Sequence, residues 1–165
     1  TDSAILAPHL ATNLSPWTSI TWGTDRETHW GCEFKTAAAL TNTTIWCGLK
    51  LTNTPTIATD NDQVVFKYVN GTDTNWQCTY SIGGTDVTVD SGTPGVVSAA
   101  TVYRLAIRID ASRIARFFVN DAIVATSTAL TDAKDLVPYI GVLSATDATA
   151  KSIVVRNCWI SRNQG

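Results

Sequence analysis

The chain has 165 residues, a formal net charge of −2, 44% hydrophobic residues and only 16% charged ones. That length forms one domain with a core of its own. The near-neutral balance argues against a nucleic-acid partner held by phosphate contacts, and no apolar run reaches the roughly 18 residues of a membrane-spanning helix.

Residues 1–16, TDSAILAPHLATNLSP, hold apolar Ile5, Leu6, Leu10 and Leu14 but little strand alternation, no basic region and no apolar signal core. They are expected to form an N-terminal arm, with a helical stretch over Ser3 to Leu10, that docks on the domain, on a sister subunit or on a shell. Exposed apolar surface costs about 25 cal/mol per Å². The chain contains no Met, which fits either a removed initiator or a processed fragment.

A single domain is expected over 17–165, since no linker or internal repeat interrupts it. Trp17 and Trp22 flank SPWTSITWG and either fasten the entry strand to the domain or rim a ligand groove. Period-two alternation then recurs along the chain. Trp30, Cys32 and Phe34 alternate with Gly31, Glu33 and Lys35; Ile45, Cys47, Leu49 and Leu51 with Trp46, Gly48 and Lys50. Val64, Phe66 and Tyr68 follow, then Trp76, Cys78, Tyr80 and Ile82, then a strand over Thr85–Asp90. Tyr103, Leu105, Ile107 and Ile109 alternate with Arg104, Ala106 and Arg108; FFV (117–119) and AIVAT (122–126) flank Asn120-Asp121, and Ile140–Leu143 and Ile153–Ile160 supply the last strands. Asn70-Gly71, Gly83-Gly84 and Asn120-Asp121 are turn dipeptides. A short helix is expected over Thr131–Asp135. About eleven short strands with turns between them predict an all-β, antiparallel two-sheet sandwich or jelly roll.

Cys32, Cys47, Cys78 and Cys158 show no CxxC and no Cys/His pair at zinc spacing. Two disulfides in a secreted domain are one reading of the even count. Buried free thiols are the favoured one, because the first three alternate with apolar residues. No metal or cofactor is expected: Asp60, Asn61 and Asp62 form one acidic loop and Asp86 and Asp90 a second, without EF-hand spacing.

Catalysis is not expected. Glu27 and Glu33 are the only glutamates, and on one strand they would lie roughly 20 Å apart at about 3.3 Å per residue. Asp25 and Glu27, roughly 7 Å apart by the same rise, form the only candidate carboxylate pair, and Arg26 between them suits a solvated strand entry. His9 and His29 are the only histidines, and neither lies near a G-x-S-x-G nucleophile motif.

Binding is the better case. Strand parity sends Trp46, Lys50, Arg104, Arg108, Arg116 and Phe118 away from the core, where they could share one sheet face. Aromatic faces pack on sugar rings and Arg forks carboxylates. The same residue types also suit a subunit interface, and the arm could simply cover the face.

The stretch YRLAIRIDASRIARFFVNDAIVAT (103–126) resembles the concanavalin A-like lectin/glucanase superfamily, whose laminin-G-like and pentraxin-like members carry an F-hydrophobic-N-G hairpin here; Asp121 stands in place of the Gly. WGCEFKTAAAL (30–40) resembles the early strand of that fold, VDSGTPG (89–95) its connection into the central strands, and AKSIVVRNCWISR (150–162) its closing strand beside the early one. The Glu-x-Asp-x-x-Glu motif of the superfamily's glucanases is absent. The Thr/Ala-rich texture and the AK–hydrophobic–V–R–hydrophobic–SR ending also resemble lectin-like domains in virion proteins of tailed bacteriophages. These resemblances imply a non-enzymatic protein on the virion surface, a capsid decoration or a head or tail fibre component. It would bind a capsid or appendage protein, its own copies, or a glycan. A free carbohydrate-binding lectin-like module is the alternative and a glycan-cleaving enzyme the third.

Overall fold

The computed structural model describes residues 22–52, 60–144 and 150–163, and the backbone of residues 3–6. Two antiparallel sheets face each other. The six-stranded sheet runs β1 (Ser3–Leu6), β10 (Val137–Ser144), β3 (Thr43–Lys50), β4 (Gln63–Val69), β5 (Gln77–Ile82), β6 (Thr85–Asp90). The five-stranded sheet runs β11 (Val154–Ser161), β2 (His29–Lys35), β7 (Val102–Ile109), β8 (Ile114–Val119), β9 (Ala122–Ala129). The only helix among the described residues is a single 3₁₀ turn at Thr93–Gly95, within the connection that carries the chain from β6 to β7.

The expected parities produce the core. Trp30, Cys32 and Phe34 of β2, and Tyr103, Leu105, Ile107 and Ile109 of β7, meet Ile45, Cys47 and Leu49 of β3 and Val64, Phe66 and Tyr68 of β4. Trp76, just ahead of β5, stands at the centre. Its ring meets Phe34 and Tyr103 from one sheet at 5.7 Å each, and Tyr68 and Phe66 from the other at 6.0 and 6.4 Å, all near edge-to-face. Such contacts add to area burial and fix the spacing of the sheets. Cys32, Cys47 and Cys78 are buried free thiols, and Cys158 is a free, exposed one. Burial, and then contact with Cys47, push the Cys32 thiol up; burial raises Cys78 to about 12.

Turn chemistry acts where the sequence placed it. Asn120 and Asp121 adopt φ 48° and 70°, the doubly left-handed hairpin turn that Asn and Asp tolerate. The closing strand β11 pairs with the early strand β2.

Two expected helices are absent. Ser3–Leu6 is a strand, each residue paired with Leu143 back to Ile140 on β10. A segment so short gains little as an isolated helix, whereas the edge of β10 satisfies its backbone at once. The rest of the arm, including His9, Leu10 and Leu14, and also Trp17, lies outside the described residues. Thr131–Asp135 is a turn with Ala133 at φ 50°. Trp22 N donates to Asp135 Oδ1 at 2.9 Å, and Leu136 N donates to the Trp22 carbonyl at 3.1 Å. These bonds draw the segment onto the entry to β2 and leave no helical repeat.

Candidate functional site: a groove on the five-stranded sheet

The outward face of the five-stranded sheet holds a groove of about 240 Å³. Its frame is one row of register partners across four strands: Trp159 on β11, Gly31 on β2, Ala106 on β7 and Phe118 on β8. Two small residues thus lie between two aromatic ones, and at about 4.8 Å per strand the row spans roughly 14 Å. The Trp159 ring lies over Gly31, where an added Cβ would come within 2.6 Å of it. Gly31 is therefore the seat that lets the indole lie down on the sheet. Trp159 remains 43% exposed.

The rows on either side carry the charges. Glu33 pairs in register with Arg104, and His29, Arg108 and Arg116 form the other row. Arg104 Nη2 meets Asp121 Oδ2 at 2.5 Å, Arg116 Nη1 meets Asp110 Oδ2 at 2.8 Å, and Arg156 Nη1 meets Glu33 Oε1 at 3.6 Å. Arg108 is different. Its guanidinium sits 4.6 Å over the Phe118 ring and has no ion-pair partner among the described residues. Burial, and then Arg108, hold the His29 imidazole below its ordinary value against the opposing pull of Glu27. The Asp110 carboxyl is held below the usual range by the Ile114 amide and by Arg116.

Four of the six residues expected to form one outward face, Arg104, Arg108, Arg116 and Phe118, are together here. Trp46 and Lys50 are not. They lie on the outward side of the six-stranded sheet, across the sandwich, because β3 belongs to that sheet. Nor are they exposed: each is 1% exposed. Trp46 stacks on Tyr139 of β10 at 5.7 Å with the planes 16° apart. A Cβ on Gly141 would meet Tyr139 at 2.7 Å and Trp46 at 3.2 Å. Lys50 Nζ lies 4.9 Å over the Tyr139 ring with no hydrogen-bond partner among the described residues. Burial lowers its pKa despite nearby Asp60, and burial raises that of Tyr139. A cleft of about 100 Å³ lies beside this stack, lined by Lys67, Thr79, Asp86 and Thr88 among others.

The other sequence candidates have structural partners. Asp25 and Glu27 lie in the turn before β2 rather than on a strand. Asp25 faces Arg26 at 3.5 Å, and Glu27 Oε1 accepts from Asn163 Nδ2 at 3.2 Å. Asp60 accepts from Thr52 N and Oγ1, both at 2.9 Å. Asp62 accepts from Thr131 Oγ1 and lies 3.8 Å from Lys134 Nζ. Asp86 accepts from Ser81 Oγ. Asp90 accepts from Gln77, Gly92 and Asn75, which hold its carboxyl below the usual range. No group of three metal-binding side chains occurs among the described residues.

Sequence reasoning did not find Trp159. Strict alternation from the inward-facing Val155 puts Asn157 and Trp159 on the core side with it. A bulge between Val155 and Asn157 inserts Arg156 as an extra residue, so Asn157 pairs with Glu33 and Trp159 with Gly31 on the outward face. The one available signal was Gly31, the smallest residue in an otherwise well-filled strand.

No protein-family model matches the sequence, and neither does any curated protein. Solved structures do match, through the fold. The chain has the architecture of the concanavalin-like jelly roll. A homodimeric agglutinin from chicken liver, CG-16, aligns over 97% of this chain and 100% of its own at 8% identity, TM-score 0.51. The Caenorhabditis elegans galectin LEC-6 aligns over 92% and 94% at 15% identity, TM-score 0.54. A family 7 alginate lyase, A1-II′, aligns over 91% of this chain and 67% of its own at 17% identity, TM-score 0.57. Identities this low establish shape, not activity.

Proposed function

We propose that the protein is a non-catalytic, carbohydrate-binding, lectin-like module whose site is the groove on the five-stranded sheet. The observation that carries this reading is Trp159, a large aromatic ring held flat over Gly31 yet open to solvent, forming a wall of a cavity opposite Phe118 and Arg108. An exposed indole at a fixed angle presents the apolar face on which a sugar ring packs. The surrounding arginines and carboxylates supply hydrogen bonds to hydroxyls. The groove is smaller than the roughly 300–1,000 Å³ of pockets that enclose drug-sized ligands, which suits one ring of a longer, otherwise exposed chain. Lectins among the structural neighbours support the same reading at the level of fold. The test is titration of oligosaccharides into the intact protein and into Trp159→Ala. Binding by the parent, weakened by roughly 2 kcal/mol in the variant, is the hot-spot scale expected; equal binding by both would place the site elsewhere.

The closing stretch AKSIVVRNCWISR (150–162), with its likeness to lectin-like domains of phage virions, favours a setting for this activity on a virion surface, in a decoration or fibre that binds a capsid or appendage protein and its own copies. Cosedimentation with particles, together with a defined oligomer in solution, is the expected result. A protein that stays monomeric and never associates with particles would remove that setting and leave the glycan site untouched.

A further inference from the structure

We infer that the sugar held in the groove is an acidic one, a uronate-type ring whose carboxylate is received by Arg108 while the ring packs on Trp159. The inference rests on the glycan-binding reading above and narrows it to a ligand class.

The argument is one of charge accounting on a single sheet face. Four arginines reach this face, and three already have a carboxylate: Arg104 has Asp121, Arg116 has Asp110 and Arg156 has Glu33. Among the described residues, Arg108 has only the Phe118 ring. A guanidinium over an aromatic face gains cation–π attraction while its N–H edges stay free. Stacking also fixes the plane of the fork before any ligand arrives, so little entropy is lost when two parallel hydrogen bonds form to a carboxylate. The register partners of Arg108 are His29 and Arg116; of the nearby carboxylates, Asp110 is held by Arg116, and Glu27, which acts on His29, accepts from Asn163.

Geometry places that charge where a ring substituent can reach it. Arg108 lies two residues along β7 from Ala106, the small residue in the aromatic row. Residues two apart on a strand share a face, about 6.6 Å apart. A ring packed against Trp159 above Gly31 and Ala106 therefore lies within one substituent's length of the Arg108 fork. Arg104 stands at the same interval on the other side of Ala106 but is occupied by Asp121. The two sides of the trough are thus unequal, and an anionic ring has one preferred orientation.

The experiment uses the full chain and two probes, a short oligouronate and the same oligosaccharide with its carboxyls reduced to alcohols. The expected result is tighter binding of the acid form by about tenfold or more, the scale of a hydrogen-bonded charge, and affinity for it that falls as salt is raised. Arg108→Gln should erase that preference, lowering affinity for the acid form far more than for the reduced sugar, and Arg108→Lys should restore part of it. Arg108 is exposed, so the variants are expected to fold, and an unchanged unfolding midpoint confirms this. Equal affinity of the parent for both sugars, or an acid preference that survives Arg108→Gln, overturns the inference while the glycan site stands. Failure of every oligosaccharide to bind overturns both.

Discussion

Each sheet of this sandwich lays a tryptophan over a glycine of the neighbouring strand on its outward side, and the two arrangements have opposite fates. On the six-stranded sheet, Trp46 sits against Gly141, is stacked on Tyr139 and is 1% exposed. On the five-stranded sheet, Trp159 sits over Gly31 and is 43% exposed. The local device is the same: a missing Cβ makes a seat for an indole. What differs is the residue that stands next to the glycine, two along its own strand on one sheet and across on the neighbouring strand on the other. Beside Gly141, β10 contributes the large Tyr139 ring, which fills the surface. Beyond Gly31, β7 contributes Ala106, which leaves a trough before Phe118. An outward aromatic residue thus stays open to solvent only when its neighbours are too small to cover it.

The contrast is most easily broken with the two tryptophans themselves. Trp46→Ala should cost about 3–5 kcal/mol of folding stability, as for other buried aromatic truncations, and leave glycan binding intact. Trp159→Ala should cost at most about 1 kcal/mol, within the ordinary range of surface changes. Chemical denaturation of both variants decides this, and similar losses would show that the two sites are energetically alike. The glycines come next. Gly141→Ala pushes a methyl into two buried rings and should destabilise by about 1–3 kcal/mol through overpacking. Gly31→Ala meets a ring that can lift into solvent, so it should leave the unfolding midpoint nearly unchanged and weaken glycan binding instead.

Lys50 offers a third test on the filled face. Its ammonium is buried without a hydrogen-bond partner, and its pKa is lowered by burial. The unfolded chain therefore holds this proton more tightly than the folded one. The penalty is complete below the lowered folded value and disappears as pH rises through the ordinary lysine range near about 10.4. Lys50→Met should stabilise the protein by about 1–3 kcal/mol at neutral pH, with an advantage that shrinks as pH rises; urea titrations across that range are the measurement. The smallest effect is expected at the rim of the open face. Asp121→Gly removes an exposed ion pair with Arg104 but relieves a residue held at φ 70°. The two changes oppose each other and should leave stability within about 0.5 kcal/mol.

Much of this fold could be read from residue order. Where apolar and polar residues alternate without interruption, as in Tyr103–Ile109, both the strand and its inward face follow, and Arg104 and Arg108 emerge on the outside as parity demands. Parity does not say which sheet a strand joins. That is why Trp46 and Lys50 were grouped with arginines that lie on the far side of the sandwich. Nor does it say what covers an outward face, and so the burial of Trp46 was missed. The bulge at Arg156 is a third kind of information. One inserted residue reverses the facing of everything after it, and β11 carries no Gly or Pro to announce it. The decisive aromatic of the groove was hidden by a single-residue change of phase.

The pairing of β2 with β11 also sets a schedule. Trp159 and Gly31 are neighbours across the sheet but stand at opposite ends of the chain, and β1 and β10 join distant segments of the other sheet in the same way. Contacts between such remote segments form slowly, because the intervening chain must first be ordered. During synthesis, the β7–β8–β9 meander can pair as soon as it emerges. The trough acquires its tryptophan wall only when the last strand has been made and has found the first strand of its sheet. A complete groove therefore reports that the strand pairing between β2 and β11 has formed.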